Sequence, residues 1–562
     1  MFSEFVSTSI SLPPPRFAPL NNHPGYFKLG GSSGVPGMHV AITSNQNVVF
    51  LDKVENCTVA KLQNGKNAYS SEYHLEYDTF TPLSYRTNAF CSGGTTTKNG
   101  SILSVGGNAP LPDVDPDIGD GFRGIRLYHR AKEVIWRTTN QTWVEPGWQL
   151  STSRWYPSAE RLSDARILVC GGSKNGLDPQ NPDNNNPTCE ILLETGQPTQ
   201  LTPTKVTFLE KNFQYVMYIA LIVLPSCNVF MMAGSSSQVI NPRTMQTVRS
   251  LPTIPGMLRT YPLTAAIAPL PLSYANAWKS EILVCGGTLT QEIISLTDHT
   301  CGRIEPEGTN PTWEMDAMPE GRVMGDSVLL HDGRILIVNG AKEGAAGFGM
   351  ASQPVTRALL YDPDRPLGKR FTQAATSDIA RMYHSAAIQL KDGRIMIAGS
   401  NPNEQPVFSA NKDHPFPTEL RTEFYYPSYI TPDVPGLRPT NVKIDSILWC
   451  ACLEVHTVEF DAPANASSVQ VTLMATGFVT HSVHMGQRLL RLHTTGFATG
   501  TTGPSRQTIM VESPPNTGIA PAGYYWLCVL VDGYLADSCL DVQIFALLNP
   551  RNGASYNYGD TY

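Results

Sequence analysis

The sequence predicts an all-β protein with two domains, and three observations support this prediction. The chain has 562 residues, which exceeds the size of one ordinary hydrophobic core. Its 46 glycines and 44 prolines supply many turns between short apolar runs, a pattern typical of β-strands. One kind of apolar run also recurs along most of the chain, which indicates a repeat architecture.

The recurring segment is an apolar strand that ends in small residues. Six copies lie 53 to 65 residues apart, and their final glycines are Gly107, Gly172, Gly234, Gly287, Gly340 and Gly399. An earlier apolar run at 47–53 lies one step upstream and lacks the glycines. The repeat therefore has seven units.

Most units place a tight turn just before this strand. Asp332-Gly333-Arg334 and Asp392-Gly393-Arg394 are two such turns, and Asp-Gly supplies the positive φ that a hairpin demands. Hairpins repeated with a period near 50 are typical of kelch-type blades. We therefore predict a seven-bladed kelch-type β-propeller over residues 36–424, with a long array of β-sandwiches as the alternative.

The repeat ends after Ser400, and a different pattern follows. A proline-rich stretch predicts a linker at 425–440. Short alternating strands then predict an immunoglobulin-like β-sandwich at 441–562. Residues 1–35 form an N-terminal segment too short for a domain of its own.

Composition narrows the class of protein. Only 16% of residues are charged and the net charge is −7, which argues against a disordered chain and against nucleic-acid binding. No apolar run is long enough for a membrane span. The N-terminus lacks the basic start and apolar core of a signal peptide, so we take a targeting segment to be absent from this sequence.

Sequons and cysteines favour a secreted, extracellular or cell-wall glycoprotein. Asn-x-Ser/Thr sequons occur at Asn56, Asn99, Asn140 and Asn465. The cysteine count of 11 leaves at least one thiol outside any disulfide. Cys285 and Cys301 are spaced to close one loop, whereas Cys450 and Cys452 are expected to be too close to prefer each other.

Four short motifs carry side chains suited to chemistry. They centre on Cys91, on Tyr156, on Tyr383-His384 and on His481. The first three each lie about 15 residues before the small-residue end of a repeat strand, so they should meet at one end of the propeller channel. His481 lies in the predicted sandwich.

Together the motifs supply two imidazoles, two phenols and one thiol. Nitrogen and oxygen donors in a tetragonal array suit Cu(II). Each residue also has an ordinary alternative: Tyr383-His384 as a core pair, His481 as a strand residue, Cys91 in a disulfide, Tyr156 packed between blades. The matched positions of three motifs in one repeat favour a shared site.

These motifs resemble those of the mononuclear copper-radical oxidases, a family that includes galactose oxidase and glyoxal oxidase. The resemblance rests on Phe90-Cys91-Ser-Gly-Gly, Arg154-Trp-Tyr156-Pro, Tyr383-His384-Ser and Thr480-His481, and it runs from about residue 36 to 547. It implies one copper ion and a Cys91–Tyr156 thioether that forms a radical cofactor. It also implies copper ligation by Tyr156, Tyr383, His384 and His481, with Tyr383 as general base.

The resemblance is stronger to the glyoxal oxidase branch. Arg154-Trp-Tyr156-Pro departs from the Arg-Gly-Tyr-Gln of galactose oxidase, and 38–42, 81–85 and 318–324 are also similar to the glyoxal branch. We therefore expect oxidation of small aldehydes such as glyoxal and methylglyoxal, as hydrates, to carboxylic acids, with reduction of O2 to H2O2. Trp155, Arg259 and Arg322 are candidate substrate contacts, with packing and salt bridges as their alternatives.

Two other functions stay open at this point. One is a copper-radical alcohol oxidase acting on primary, aryl or sugar alcohols. The other is a non-catalytic kelch propeller that binds protein partners. The expected partners are a small aldehyde or alcohol and O2, with functional coupling to peroxidases, and the chain is expected to be a monomer.

Overall fold

The computed structural model describes residues 24–43, 47–129, 143–431 and 435–546. The sequon at Asn140 and the outer ends of the predicted N-terminal segment and sandwich lie outside these ranges. Strands dominate the described residues. The helices within them are the short α-helix Thr207–Lys211 and the 3-10 turns Phe213–Tyr215, Tyr274–Asn276 and Ser428–Ile430. Among the described helices, none is long and apolar enough to cross a bilayer.

Seven antiparallel sheets follow one another along the chain as blades 1 to 7. From the inner strand outwards, blades 1 to 4 contain His39–Ile42, Asn47–Leu51, Ser70–His74 and Thr79–Leu83; Gly93–Thr96, Ile102–Val105 and Ile125–Tyr128; Ser158–Arg161, Ile167–Cys170, Thr188–Leu192 and Thr204–Lys205; and Ala220–Val223, Val229–Ala233, Ser236–Asn241 and Gln246–Ser250.

The remaining three blades keep the same order. They contain Ala266–Pro269, Ile282–Cys285, Thr300–Ile304 and Glu314–Ala317; Asp326–Leu329, Ile335–Val338, Arg357–Tyr361 and Phe371–Thr376; and Ser385–Gln389, Ile395–Gly399, Arg421–Tyr426 and Tyr26–Ser32. The repeat strand of every predicted unit is the second strand of a blade, so the predicted seven-bladed propeller is confirmed.

Blade 7 is completed by the N-terminal strand Tyr26–Ser32, which pairs antiparallel with Arg421–Tyr426. The sequence predicted a separate N-terminal segment at 1–35 and a linker that begins at 425, and both of these boundaries differ from the structure. The physical reason is ring closure, because an outer strand from the start of the chain covers the open edge of the last blade.

The glycines that end the second strands permit close contact between neighbouring blades. A Cβ atom at Gly106 would overlap the carbonyl oxygen of Arg154, and one at Gly286 would overlap that of Arg322. Both glycines also have positive φ, of 74° and 84° respectively. Side chains at these positions would push the blades apart.

The C-terminal domain is a β-sandwich of two sheets around one apolar core. One sheet contains Thr440–Ile444, Val455–Ala462, Ser505–Glu512 and Thr494–Thr495, and the other contains Leu272–Ser273, Arg488–Arg491, Val469–Ala475, Gly523–Val531, Leu540–Phe545, Leu448–Cys450 and Tyr534–Leu535. Leu272–Ser273 belongs to the propeller part of the chain, so the second sheet spans both domains.

A hairpin of the C-terminal domain enters the propeller channel. Its strands are Phe478–Thr480 and Val483–Met485, and the first pairs antiparallel with His39–Ile42, the inner strand of blade 1. Between them, the two hairpin strands contact the inner strands of all seven blades. The turn of this hairpin carries His481 and Ser482.

Disulfides join Cys170 to Cys189, Cys285 to Cys301, Cys450 to Cys452 and Cys528 to Cys539. The second of these fits the predicted loop closure. The expectation that Cys450 and Cys452 avoid each other is wrong, because the chain turns sharply after Cys450 and brings their Cα atoms to 5.3 Å. The cysteines without a disulfide are Cys57, Cys91 and Cys227, so an odd count alone does not single out Cys91.

Candidate metal centre

Four of the predicted site residues have left-handed backbone conformations. The φ angles are 52° at Cys91, 61° at Tyr156, 61° at His384 and 46° at His481. Such angles are uncommon outside glycine and cost about 1 kcal/mol or more at each residue. Strain of this kind clusters at functional sites, where the surrounding fold holds it in place.

Buried arginines fix the segments that carry two of the phenols. The Arg154 guanidinium donates to the carbonyl of Gly171 over 2.9 Å, and the Arg381 guanidinium donates to that of Gly399 over 2.7 Å. Each arginine thereby ties the segment before an inner strand to the second strand of the same blade. Tyr156 and Tyr383 each follow two residues after the arginine, so the two phenols project from equivalent positions in their blades.

A third segment repeats the arrangement and was missed by the sequence analysis. Arg259 donates to the carbonyl of Gly286, and Tyr261 follows two residues later. The signal was present in the sequence, because Arg259-Thr-Tyr261-Pro repeats the Arg-x-Tyr-Pro spacing around Tyr156. Alignment of all the blade openings, and not only of those that carry a histidine or a thiol, would have found it.

The three phenol oxygens meet at one point in the channel. The hydroxyl of Tyr156 lies 3.4 Å from that of Tyr383, and the hydroxyl of Tyr261 lies 3.2 Å from the first and 3.0 Å from the second. All three tyrosines are at least 96% buried. The sequence anticipated two phenols at this point, and the structure brings together three.

Two imidazoles and the Cys91 thiol complete the cluster. The ligand atoms of Cys91, His384 and His481 lie within 4.8 Å of one another, and the Cys91 sulfur is 3.4 Å from Nε2 of His481. Nδ1 of His481 contacts the Thr480 hydroxyl at 2.6 Å, which leaves Nε2 directed at the cluster. The Tyr383 and His384 rings stack at 3.8 Å.

Burial controls the protonation of these groups. Loss of solvation lowers the pKa of His384 and of His481 well below the usual value for histidine, so both imidazoles are neutral. The same loss of solvation raises the pKa of the Tyr156, Tyr383 and Cys91 side chains well above their usual values. A bound cation reverses this effect, because it stabilises phenolate oxygen.

The donor set fits a copper ion. Within the described residues, neither ring nitrogen of His384 makes a hydrogen bond of normal geometry, although the residue is 99% buried. A buried imidazole nitrogen that lacks a well-formed hydrogen bond is costly unless a ligand occupies it. Neutral imidazoles beside converging phenol oxygens supply the nitrogen and oxygen donors that suit Cu(II).

The three candidate substrate contacts have different outcomes. Trp155 lies against the cluster, with its ring 5.0 Å from that of Tyr156. Arg259 and Arg322 instead bond to backbone carbonyls within the blades, and both are at least 99% buried. A role for these two arginines in lining a substrate mouth does not fit these contacts, because their guanidinium groups already hold the blades together.

An aromatic wall borders the cluster. The Phe90 ring is 5.4 Å from Trp155 and 6.1 Å from His384, and the Phe348 ring is 5.5 Å from Tyr383 and 5.4 Å from His384. Phe348 comes from the loop between Ala341–Gly344 and Ala351–Pro354, two short strands that form a hairpin beside blade 6. The cluster is therefore enclosed on this side by apolar rings.

Comparison with known proteins places this chain in a family. Residues 38–429 match the family described as glyoxal oxidase N-terminus, and residues 438–538 match the galactose oxidase-like Early set domain. The aldehyde oxidase GLOX1 of Arabidopsis thaliana is 31% identical, with 92% of this chain and 84% of the relative covered. This chain belongs to the glyoxal oxidase family. It is a copper-radical oxidase.

One further relative and one solved structure are similar to the chain over most of its length. The aldehyde oxidase GLOX of Vitis pseudoreticulata is 30% identical to the oxidase, with 88% of this chain and 92% of the relative covered. A solved fungal alcohol oxidase in complex with copper superposes with a TM-score of 0.70 at 16% identity, covering 92% of this chain and 99% of that one. The superposition supports the combination of propeller and sandwich.

Proposed function

We propose that this oxidase converts small aldehydes, bound as their hydrates, to carboxylic acids while O2 is reduced to H2O2. The observation that carries the proposal is the convergence of the Tyr156 and Tyr383 oxygens with the His384 and His481 rings at one buried point. The matched relatives named as aldehyde oxidases support the substrate class. Glyoxal and methylglyoxal are the proposed substrates.

Tyr156, Tyr383, His384 and His481 would hold one copper ion. When bound, the copper supplies a Lewis acid and a one-electron acceptor. The Tyr383 oxygen accepts the hydroxyl proton of the substrate. Tyr156, once oxidised to its radical, would take the hydrogen atom from the substrate carbon, and its oxygen lies 3.4 Å from that of Tyr383. Two electrons and two protons leave the substrate, and O2 accepts the two electrons and the two protons to form H2O2.

Cys91 would be joined to the Tyr156 ring by a thioether. The thiol is fully buried, and it interacts directly with the Tyr156 side chain. Formation of the carbon–sulfur bond breaks the S–H bond and one ring C–H bond, and O2 accepts the two electrons and two protons. The sulfur then shares the unpaired electron with the ring. Trp155 would shield this modified ring from solvent.

Peptide mass spectrometry of protein loaded with copper in air tests the proposal. The linked peptides of Cys91 and Tyr156 should be lighter by two hydrogens than their sum, and Cys91→Ser should abolish both the link and aldehyde oxidation. Cys227→Ser is the matched control, since Cys227 is a second cysteine without a disulfide. A Cys91 thiol that can still be alkylated after loading would contradict the proposal.

Oxidation of alcohols is a second candidate function, and the aromatic wall favours it. The rings of Phe90, Phe348 and Trp155 would suit an aryl substrate beside the cluster. Initial rates on glyoxal, methylglyoxal, glycerol, benzyl alcohol and galactose separate the two functions. Higher kcat/KM for benzyl alcohol than for both aldehydes would favour the alcohol oxidase.

The setting we propose is extracellular or cell-wall, with the chain as a monomer. Four disulfides within the described residues favour an oxidising compartment. The sequon asparagines Asn56, Asn99 and Asn465 are all exposed, as glycosylation requires. The H2O2 produced there would supply peroxidases.

A further inference from the structure

The hydroxyl of Tyr261 has no role in the ligand set proposed above, yet it lies within hydrogen-bond distance of both phenol oxygens of that set. Its ring stacks on the Tyr156 ring, with centroids 4.5 Å apart. We infer that Tyr261 is a positioning residue that donates a hydrogen bond to these oxygens and so sets how readily Tyr156 loses an electron. This inference rests on the proposed function.

The direction of the hydrogen bond follows from counting protons. A phenol oxygen that ligates a metal as phenolate has no hydrogen, so it can only accept. With Tyr156 and Tyr383 as the proposed ligands, Tyr261 is the phenol of the three that keeps its hydrogen. A neutral donor facing phenolate oxygen forms a charge-assisted hydrogen bond, and burial makes that bond stronger.

The position of the hydroxyl is fixed by the blade and not by a mobile loop. The Arg259 guanidinium forms a salt bridge with Asp298 over 2.9 Å, and the Thr260 hydroxyl accepts from the Gly234 backbone over 2.8 Å. Asp298 and Gly234, which hold this segment, are both buried. A donor held on such a support keeps its distance to the reacting oxygens.

The hydrogen bond has a predictable effect on the reduction potential of the Tyr156 radical. It stabilises the phenolate more than the neutral radical, because the radical oxygen carries less negative charge. Loss of the bond therefore makes the phenolate easier to oxidise. A packing role would come from the ring alone, and phenylalanine retains that ring.

The test compares copper-loaded native protein with Tyr261→Phe. We expect the midpoint potential of the Tyr156 radical to fall and the phenolate-to-copper charge-transfer absorption to move to longer wavelength, with copper content unchanged. Tyr429→Phe is the control. Tyr429 is also a fully buried tyrosine, but its hydroxyl donates to the Gly393 carbonyl over 2.8 Å and not to the phenol oxygens of the cluster.

An unchanged potential and absorption in Tyr261→Phe would overturn the inference, as would an equal shift in Tyr429→Phe. Native protein that binds no copper and forms no cross-link would overturn the proposed function, and this inference with it. Resonance Raman spectra of the native protein in H2O and D2O need no variant. A shift of the phenolate C–O stretch on deuteration supports the inference, and no shift contradicts it.

Discussion

At the scale of single residues, Thr480 orients the imidazole of His481. Its hydroxyl lies 2.6 Å from Nδ1, on the side of the ring away from the cluster. Replacing Thr480 by valine keeps the shape and removes this contact, so we expect copper affinity to fall about 10- to 100-fold. Competition with a chelator measures the affinity. Thr480→Ser should bind copper like the native protein, and equal affinity of the valine variant would refute the role.

Asp326 makes stability depend on pH. It is 98% buried, accepts from the Asn339 amide over 2.7 Å, and has a pKa raised to about 8 by loss of solvation. The unfolded chain releases this proton near the usual value of 3.8, whereas the folded chain retains it. Stability contributed by Asp326 is therefore full below the unfolded pKa and is lost as pH rises towards 8, by up to about 1.4 kcal/mol per pH unit.

Urea denaturation at pH 5 and pH 8 checks this dependence on pH. We expect Asp326→Asn to lose less stability between the two values than the native protein loses. The exposed Asp413→Asn is the control and should keep the native difference. If Asp326→Asn shows the native difference as well, another group is responsible.

The site residues were predictable from the sequence where their side chains are rare in a β-repeat, and less predictable where such side chains are common. A thiol, a Tyr-His pair and a remote histidine stand out from a β-repeat, and the structure brings them together. Tyr261 was missed because a lone tyrosine before a proline has many packing roles. The roles of Arg259 and Arg322 stayed open between substrate contact and packing, because a charged side chain before a strand allows both; in the structure both buried guanidinium groups donate to carbonyl oxygens.

At the scale of elements, the strand Tyr26–Ser32 closes the ring. It covers Arg421–Tyr426, and the rings of Tyr26 and Tyr426 stack at 4.8 Å. Deletion of residues 1–32 should lower the unfolding temperature and promote aggregation, because blade 7 would expose an unpaired edge. Thermal melting and light scattering measure the two effects. Deletion of residues 1–23 alone is the control, and equal melting of the two truncations would refute ring closure.

The inner strands and hairpin turns were predictable because they follow local rules of turn chemistry and alternation. The closing strand was not, since its partner lies almost 400 positions away and its residues give no sign of that pairing. The Cys450–Cys452 disulfide was missed for a related reason. The tight turn that brings these two cysteines together depends on the sandwich around it.

At the scale of the whole molecule, copper should stabilise both domains together. The proposed ligands come from blades 3 and 7 and from the sandwich hairpin, and metal bound only to the folded state raises its stability. Copper should therefore raise the unfolding temperature of the native protein and not that of His481→Ala. His493→Ala is the control, since His493 pairs with Glu512 in the sandwich. Equal copper-induced shifts in native protein and His481→Ala would exclude His481 as a ligand.

The count of seven blades and the all-β architecture were predicted correctly, because the repeat units can be counted in the sequence. The entry of the hairpin into the channel was not predicted by any pattern in 478–485, and the family resemblance implied that His481 is a copper ligand. A hairpin that touches every blade has no sequence signal of its own, since its partners are spread over the whole ring.

The late position of His481 in the chain has a consequence for biosynthesis. Ribosomes release the amino terminus first, so all seven blades emerge before the hairpin does. A nascent propeller therefore lacks one proposed ligand. With His481 as a ligand, the proposed copper site would be complete only after residue 481 has been made, and a product truncated before that residue would lack the site.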